Sequence, residues 1–156
     1  PNTKLLEVSI MNWHDVISYA NNGNPSPPRT VSKTEAEWQQ VLSAEEYRVM
    51  RLKGTERAFS GEHCSVFEAG TYACSSCDEK LFDANQKFES GSGWPSFTEP
   101  LKEGVIRHDM DNSYGMTRIE VSCNVCGGHL GHVFPDGPKP SGLRFCINSV
   151  SLKPVS

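Results

Sequence analysis

Two C-x-x-C pairs, Cys74-Ser75-Ser76-Cys77 and Cys123-Asn124-Val125-Cys126, stand about 45 residues apart and constrain the fold of this chain more than any other feature. A thiolate pair of this spacing can occupy two corners of a tetrahedral zinc ion, with Zn–S distances near 2.3 Å. Two pairs fill all four corners. The expected zinc is therefore structural, because no position remains for a substrate. Residues that tolerate a left-handed backbone follow each pair, Asp78 in one case and Gly127-Gly128 in the other, as a tight turn around a metal requires. Joining the pairs would clamp two distant hairpins and close a long loop, longer than in simple zinc modules. Other readings compete. A thioredoxin-type C-x-x-C needs a βαβ context that is absent. An iron–sulfur cluster needs ferredoxin-like spacings, which these do not match. Two structural disulfides need an oxidising compartment.

Compartment is read from the rest of the chain. Six cysteines in 156 residues are too sparse for a disulfide framework. No apolar run approaches the roughly 20 residues that cross a bilayer. The start, Pro1-Asn2-Thr3-Lys4-Leu5-Leu6, lacks a secretory h-region and cleavage site, and an N-terminal proline is what initiator-methionine removal leaves. A cytoplasmic location is expected, with no membrane partner. The net charge of −4 provides no basic field for nucleic acid.

The remaining cysteines, Cys64 and Cys146, lie outside both pairs. Cys146 sits in Arg144-Phe145-Cys146-Ile147-Asn148, close in sequence to His129-Leu130-Gly131-His132. Arg144 and the histidines could stabilise a thiolate, lowering its pKa and making Cys146 a nucleophile. In a strand, Asn148 would share the face of Cys146. Each residue also has a plainer role: Cys146 as a small buried side chain, the histidines as hydrogen-bonded core groups, Trp94 of Gly91-Ser92-Gly93-Trp94-Pro95-Ser96-Phe97 as a core tryptophan. Beside a nucleophile, Trp94 could instead wall a site for a sulfur-bearing group.

The expected architecture is mainly β, a helical N-terminal third followed by zinc-stapled antiparallel sheets. Residues 1–31 read as an extension with a short helix over Asn12–Ala20, and 32–156 as the catalytic domain. Thr34-x-x-Glu37 and Ser43-x-x-Glu46 are capping boxes for two more helices, with Gly54 as the stop of the second. Strands are predicted at 71–73, 105–107, 116–121 and 145–148. The alternation in Thr117-Arg118-Ile119-Glu120-Val121 predicts one buried and one wet face.

Taken together, Gly54-Thr55-Glu56-Arg57-Ala58-Phe59-Ser60-Gly61, Ser90 to Phe97, His129-Leu130-Gly131-His132-Val133-Phe134-Pro135-Asp136-Gly137-Pro138 and Arg144-Phe145-Cys146-Ile147-Asn148-Ser149 resemble the methionine sulfoxide reductase B family. The resemblance covers about residues 32–153. It implies a β-tent of antiparallel sheets with structural zinc on Cys74, Cys77, Cys123 and Cys126, away from the active site. It implies reduction of methionine-R-sulfoxide, preferentially protein-bound. A monomer is the expected state of the chain. Cys146 is then the attacking cysteine and Trp94 the wall for the substrate methyl group. His129, His132 and Asn148 shape the site, with Asp136 and Arg144 as supporting charges and His132 favoured as proton donor. Many members of that family carry a cysteine in the Gly-rich turn, where this chain has Ser92, and some use a resolving cysteine further upstream. By that resemblance Cys64 resolves the Cys146 sulfenic acid, and thioredoxin reduces the resulting disulfide. A non-catalytic zinc-stabilised binding module and a thiol peroxidase or disulfide oxidoreductase are the competing classes.

Overall fold

Among the described residues, 11–61 and 70–155 of a computed structural model, every α-helix opens on a reciprocal cap. In α1 (Trp13–Asn22) the Asn12 side chain accepts from the Asp15 N–H at 3.1 Å, and the Asp15 carboxylate accepts from the Asn12 N–H at 3.0 Å. Thr34 with Glu37 and Ser43 with Glu46 do the same for α2 (Glu35–Val41) and α3 (Ala44–Met50), at the positions where the sequence placed capping boxes. These short helices need such caps, since a two-turn helix leaves most of its N–H groups without internal partners. The stop of α3 differs from expectation. The helix ends at Met50, Lys53 rather than Gly54 takes the left-handed conformation (φ 59°), and the Gly54 N–H reaches back to the Arg48 carbonyl at 2.9 Å. Lys53 tolerates that conformation while its ammonium bonds to Glu120.

Among the described residues nine strands follow: β1 (Thr71–Cys74), β2 (Lys80–Asp83), β3 (Lys87–Phe88), β4 (Ser96–Phe97), β5 (Ile106–Asp111), β6 (Arg118–Cys123), β7 (His129–Phe134), β8 (Arg144–Ile147) and β9 (Leu152–Val155). They form a three-stranded sheet in the order β2-β1-β9 and a six-stranded sheet in the order β3-β4-β8-β7-β6-β5. Each pairing is antiparallel. An aromatic cluster joins the two sheets: Phe82 of β2 stacks on Phe97 of β4 at 4.4 Å, and Tyr72 of β1 meets the edge of Phe97 at 5.5 Å. Ile119, Val121, Val133 and Phe145 add the apolar face of the larger sheet. The opposite face, expected to be wet along β6, is not open to water: Glu120 is only 8% exposed. It is covered because it carries the site described below.

Residues 11–31 lie against this body. Val16 is fully buried, and the Tyr19 ring stacks on His108 of β5 at 5.5 Å. Asn24 accepts from the His108 N–H at 2.7 Å and donates to the His108 carbonyl at 3.0 Å, which occupies backbone groups on the edge strand β5. Unpaired edges invite association with other strands, so this bracket also protects the sheet. Burial pushes the His108 imidazole down to about 4, keeping it neutral under the arm. Among the described residues no helix is long and apolar enough to cross a membrane. Val16→Ala is expected to lower unfolding free energy by about 2 kcal/mol in urea titrations. Val41→Ala, on a 59% exposed side chain, is expected to change it by less than about 0.5 kcal/mol.

Candidate active site

The two C-x-x-C turns are built alike. Each begins on the last residue of a strand, Cys74 of β1 and Cys123 of β6. Each first cysteine donates its N–H to the carbonyl five residues on, Glu79 or Gly128, at 2.8 Å in both. The residue after each second cysteine is left-handed, Asp78 at φ 70° and Gly127 at φ 78°, as its sequence position suggested. The four sulfurs of Cys74, Cys77, Cys123 and Cys126 lie within 4.8 Å of one another. Cys74 and Cys126 are 3.7 Å apart, and Cys77 and Cys123 3.6 Å. A tetrahedron with 2.3 Å Zn–S arms has edges of about 3.8 Å, so the donor set fits a metal of that kind. The Gly128 N–H and the Arg51 guanidinium both reach the Cys126 sulfur, at 3.4 and 3.7 Å.

The strand that leaves the second turn, β7, carries both histidines. Residues three apart in a regular strand point to opposite faces. Here the register shifts: Val121 pairs with Gly131, but Ser122 pairs with His129, so two residues of β7 stand against one step of β6. This bulge at Leu130 returns His129 to the face of His132. Their rings lie 5.8 Å apart. His132 is paired directly with Cys146 of β8 on one side and Glu120 of β6 on the other, which puts all three on one face. Gly131 is required between them, because a Cβ there would sit 2.0 Å from the Cys146 carbonyl oxygen.

Each histidine is held by a carboxylate. His129 Nδ1 meets Glu120 Oε2 at 2.7 Å, and Glu120 Oε1 takes the Lys53 ammonium at 3.1 Å. His132 Nε2 meets Asp111 Oδ2 at 2.7 Å. Burial pushes both carboxyls up, but the hydrogen bonds and charge of their histidines outweigh it and hold them below their ordinary range. Burial pushes the His132 imidazole down, and Asp111 only partly offsets this.

Cys146, His129, His132 and Asn148 line a cleft of about 110 Å³ with Trp94, Phe134, Thr55, Arg118 and Gly131. Trp94 is oriented by its indole N–H, which donates to the Glu56 carbonyl at 3.0 Å. Asn148 is committed to the backbone, donating to the Leu130 carbonyl at 2.9 Å and accepting from the Glu56 N–H at 3.0 Å. Arg144 and Asp136 form a two-pronged ion pair at 2.9 and 3.1 Å outside the cleft lining, with the guanidinium 4.4 Å from the Phe134 ring. Cys64 lies outside the described residues. Thr55, Phe134, Arg118, Asp111 and Glu120 went unnoticed as site residues in the sequence. For Arg118 and Glu120 the signal was their shared polar face in β6.

The Cys146 thiol departs from expectation in one respect. Burial pushes it above its ordinary value, and the Arg144 charge and a hydrogen bond from the Ser92 hydroxyl pull it back only in part. At rest it is a thiol beside an unprotonated imidazole rather than a free thiolate.

The SelR domain matches residues 42–156 of this chain. The peptide methionine sulfoxide reductase MsrB of Leptospira interrogans is 54% identical over 123 residues, covering 79% of this chain and 94% of that protein. The Pseudomonas putida protein of the same name is 56% identical over 122 residues, 78% of this chain and 92% of its own length. This chain belongs to the methionine sulfoxide reductase B family. The Saccharophagus degradans member, 54% identical over 121 residues, covers 78% of this chain and 90% of its own length.

In this member of the family, alkylation of Cys146 by iodoacetamide, followed on its peptide by mass spectrometry, is expected to show a midpoint higher than that of an ordinary exposed cysteine, because burial pushes the thiol up. Arg144→Gln removes a charge that lowers the thiol pKa, so the midpoint should move higher still.

Proposed function

We propose that this protein is a peptide-methionine (R)-S-oxide reductase working through a Cys146 sulfenic acid. The observation that carries this reading is the cross-strand pair of Cys146 with His132, opening on a cleft lined by Trp94 and Phe134. Two aromatic walls suit the methyl and methylene groups of a thioether, which an apolar site binds by burial and sulfur–ring contact. The sulfoxide oxygen then faces the histidines.

The chemistry needs a proton as well as a nucleophile. Cys146 attacks the sulfoxide sulfur, and the oxygen must be protonated before its bond to that sulfur can break. The thiol proton, held on an imidazole in between, is sufficient. The oxygen leaves the substrate and ends on Cys146 as S–OH, so the cysteine sulfur is oxidised as the methionine sulfur is reduced. Cys64 then attacks the sulfenic acid, giving a Cys64–Cys146 disulfide and water. The dithiol of thioredoxin reduces that disulfide by exchange. Ser92, in contact with the Cys146 sulfur, occupies a position from which a cysteine could resolve the intermediate, and serine cannot. That supports an upstream thiol for this step. Protein-bound methionine sulfoxide is the natural substrate class for a shallow cleft that takes a side chain while the peptide stays outside.

We assign the four-cysteine cluster to one structural zinc. Its donors are four thiolates, and none of the four cysteines lines the cleft around Cys146.

Epimerically pure dabsyl-methionine-R-sulfoxide with dithiothreitol should be turned over, the S epimer should not, and Cys146→Ser should abolish turnover. With thioredoxin as sole reductant, Cys64→Ser should complete one turnover and then stall. Full multiple turnover by that variant would overturn the resolving role, and no reduction of the R form by the reduced wild-type protein would overturn the function. Cys126→Ser should lose the single zinc measured by atomic absorption and lower the thermal midpoint by roughly 15 °C or more.

A further inference from the structure

We propose that Asp111 is a positioning residue for this reaction: its carboxylate fixes the Nε2–H tautomer of His132 and thereby assigns Nδ1 as the atom that relays the Cys146 proton. The inference rests on the sulfoxide-reducing role of the site. It begins from a contact spanning three strands. Asp111 ends β5, His132 lies on β7, and the 2.7 Å bond between Oδ2 and Nε2 crosses β6 diagonally, since Asp111 pairs with Arg118 of that strand and His132 with Glu120. The same oxygen takes the Arg118 guanidinium at 3.5 Å, and Oδ1 accepts the Ser113 N–H at 2.9 Å. Asp111 is thus gripped by an ion pair and a turn of its own hairpin, and is a fixed part rather than a passing neighbour.

A carboxylate held ionised is acceptor-only. Asp111 is ionised throughout the working range, because the hydrogen bonds from His132 and Ser113 outweigh its burial. The hydrogen in the 2.7 Å contact therefore belongs to Nε2. A neutral imidazole has a single N–H, so Nδ1 of resting His132 carries a lone pair. It cannot donate to a sulfoxide in that state. It can accept the thiol proton of Cys146, its direct cross-strand neighbour. The proton then moves from Sγ to Nδ1 and from Nδ1 to the sulfoxide oxygen, and it stays with that oxygen in the sulfenic acid. No external acid is consumed. As the imidazolium forms, Asp111 faces it with a full negative charge.

The second dyad is wired the other way. Glu120 engages Nδ1 of His129 at 2.7 Å, leaving Nε2 as that ring's other nitrogen. Two carboxylates thus hold two adjacent rings through opposite nitrogens, which a shared packing role would not demand. The charged and titratable groups around His132 are Asp111 from β5, Arg118 and Glu120 from β6, His129 from β7, and Arg144 and Cys146 from β8. Of these, Arg118 and His129 oppose protonation of His132 and Asp111 favours it. Removing the Asp111 charge must therefore move His132 to lower pKa.

The test combines ¹⁵N-histidine NMR of the reduced protein with pH–rate profiles on the R-sulfoxide. Neutral His132, assigned by comparison with His132→Gln, should show the Nε2–H tautomer. Asp111→Asn should lower kcat on the order of 10²-fold with little change in KM. The acid limb, set by protonation of the His132 acceptor, should move to lower pH, and Asp111→Glu should restore part of the rate. An Nδ1–H tautomer in the wild-type protein overturns the proposal, as does Asp111→Asn with unchanged kcat and pH profile. If Asp111→Asn does not fold, the wild-type tautomer and the Asp111→Glu profile decide. Absence of sulfoxide turnover by the wild-type protein would defeat the functional reading itself, whereas turnover with the wrong tautomer defeats only the role of Asp111.

Discussion

The meeting of four sulfurs is the constraint on which the rest of this molecule depends. One C-x-x-C turn belongs to the three-stranded sheet and the other to the six-stranded sheet, so the cluster ties together two layers that otherwise meet through aromatic packing. It also sets the position of the chemistry. From Cys126 the chain needs only three residues to reach His129, and from Cys123 it runs back three residues to Glu120. A hairpin clamped at its tip delivers both members of the first dyad along its two strands. The helical region is drawn into the same arrangement, since Arg51 bonds to Cys126 while lying over the Trp38 ring at 4.4 Å.

The site itself is held mainly by backbone. Glu56 offers its carbonyl to Trp94 and its N–H to Asn148, while its side chain accepts the Val150 N–H. One residue of an irregular segment thereby registers one wall of the cleft against the strand bearing the nucleophile. Asn148 serves the same end from the opposite side. Its side chain is spent on Glu56 and Leu130, which makes it a strut of the site more than a contact for substrate.

What the sequence revealed follows from how local each determinant is. Caps, metal knuckles and the flanks of Cys146 depend on residues within a few positions of one another, and these were legible. The clean alternation in β6 was also legible, though its polar side turned out to be enclosed rather than wet. β2, β3, β4, β7 and β9 were not foreseen as strands. Two of them are only two residues long, and β7 carries a bulge that breaks the period on which recognition relies. The carboxylate partners of the histidines were invisible for a different reason. Asp111 lies 21 residues from His132, and only the pairing of three strands brings it near. The net direction of the Cys146 pKa could not be read either, because burial is a property of the folded neighbourhood and neighbouring charge is all that sequence displays.

The bulge at Leu130 has a consequence for how this stretch can change over time. A histidine pair spaced by three residues ordinarily advertises one side of a helix. In this strand the same spacing works only because one extra residue is absorbed without being paired. Side chains in the stretch can be exchanged where they fit, but spacing and bulge must change together. With the histidines kept three residues apart, closing the bulge into a regular ladder would turn one ring toward the apolar interior, away from the thiol it serves. Such a change would disable the site while leaving every residue of its motif present in the chain.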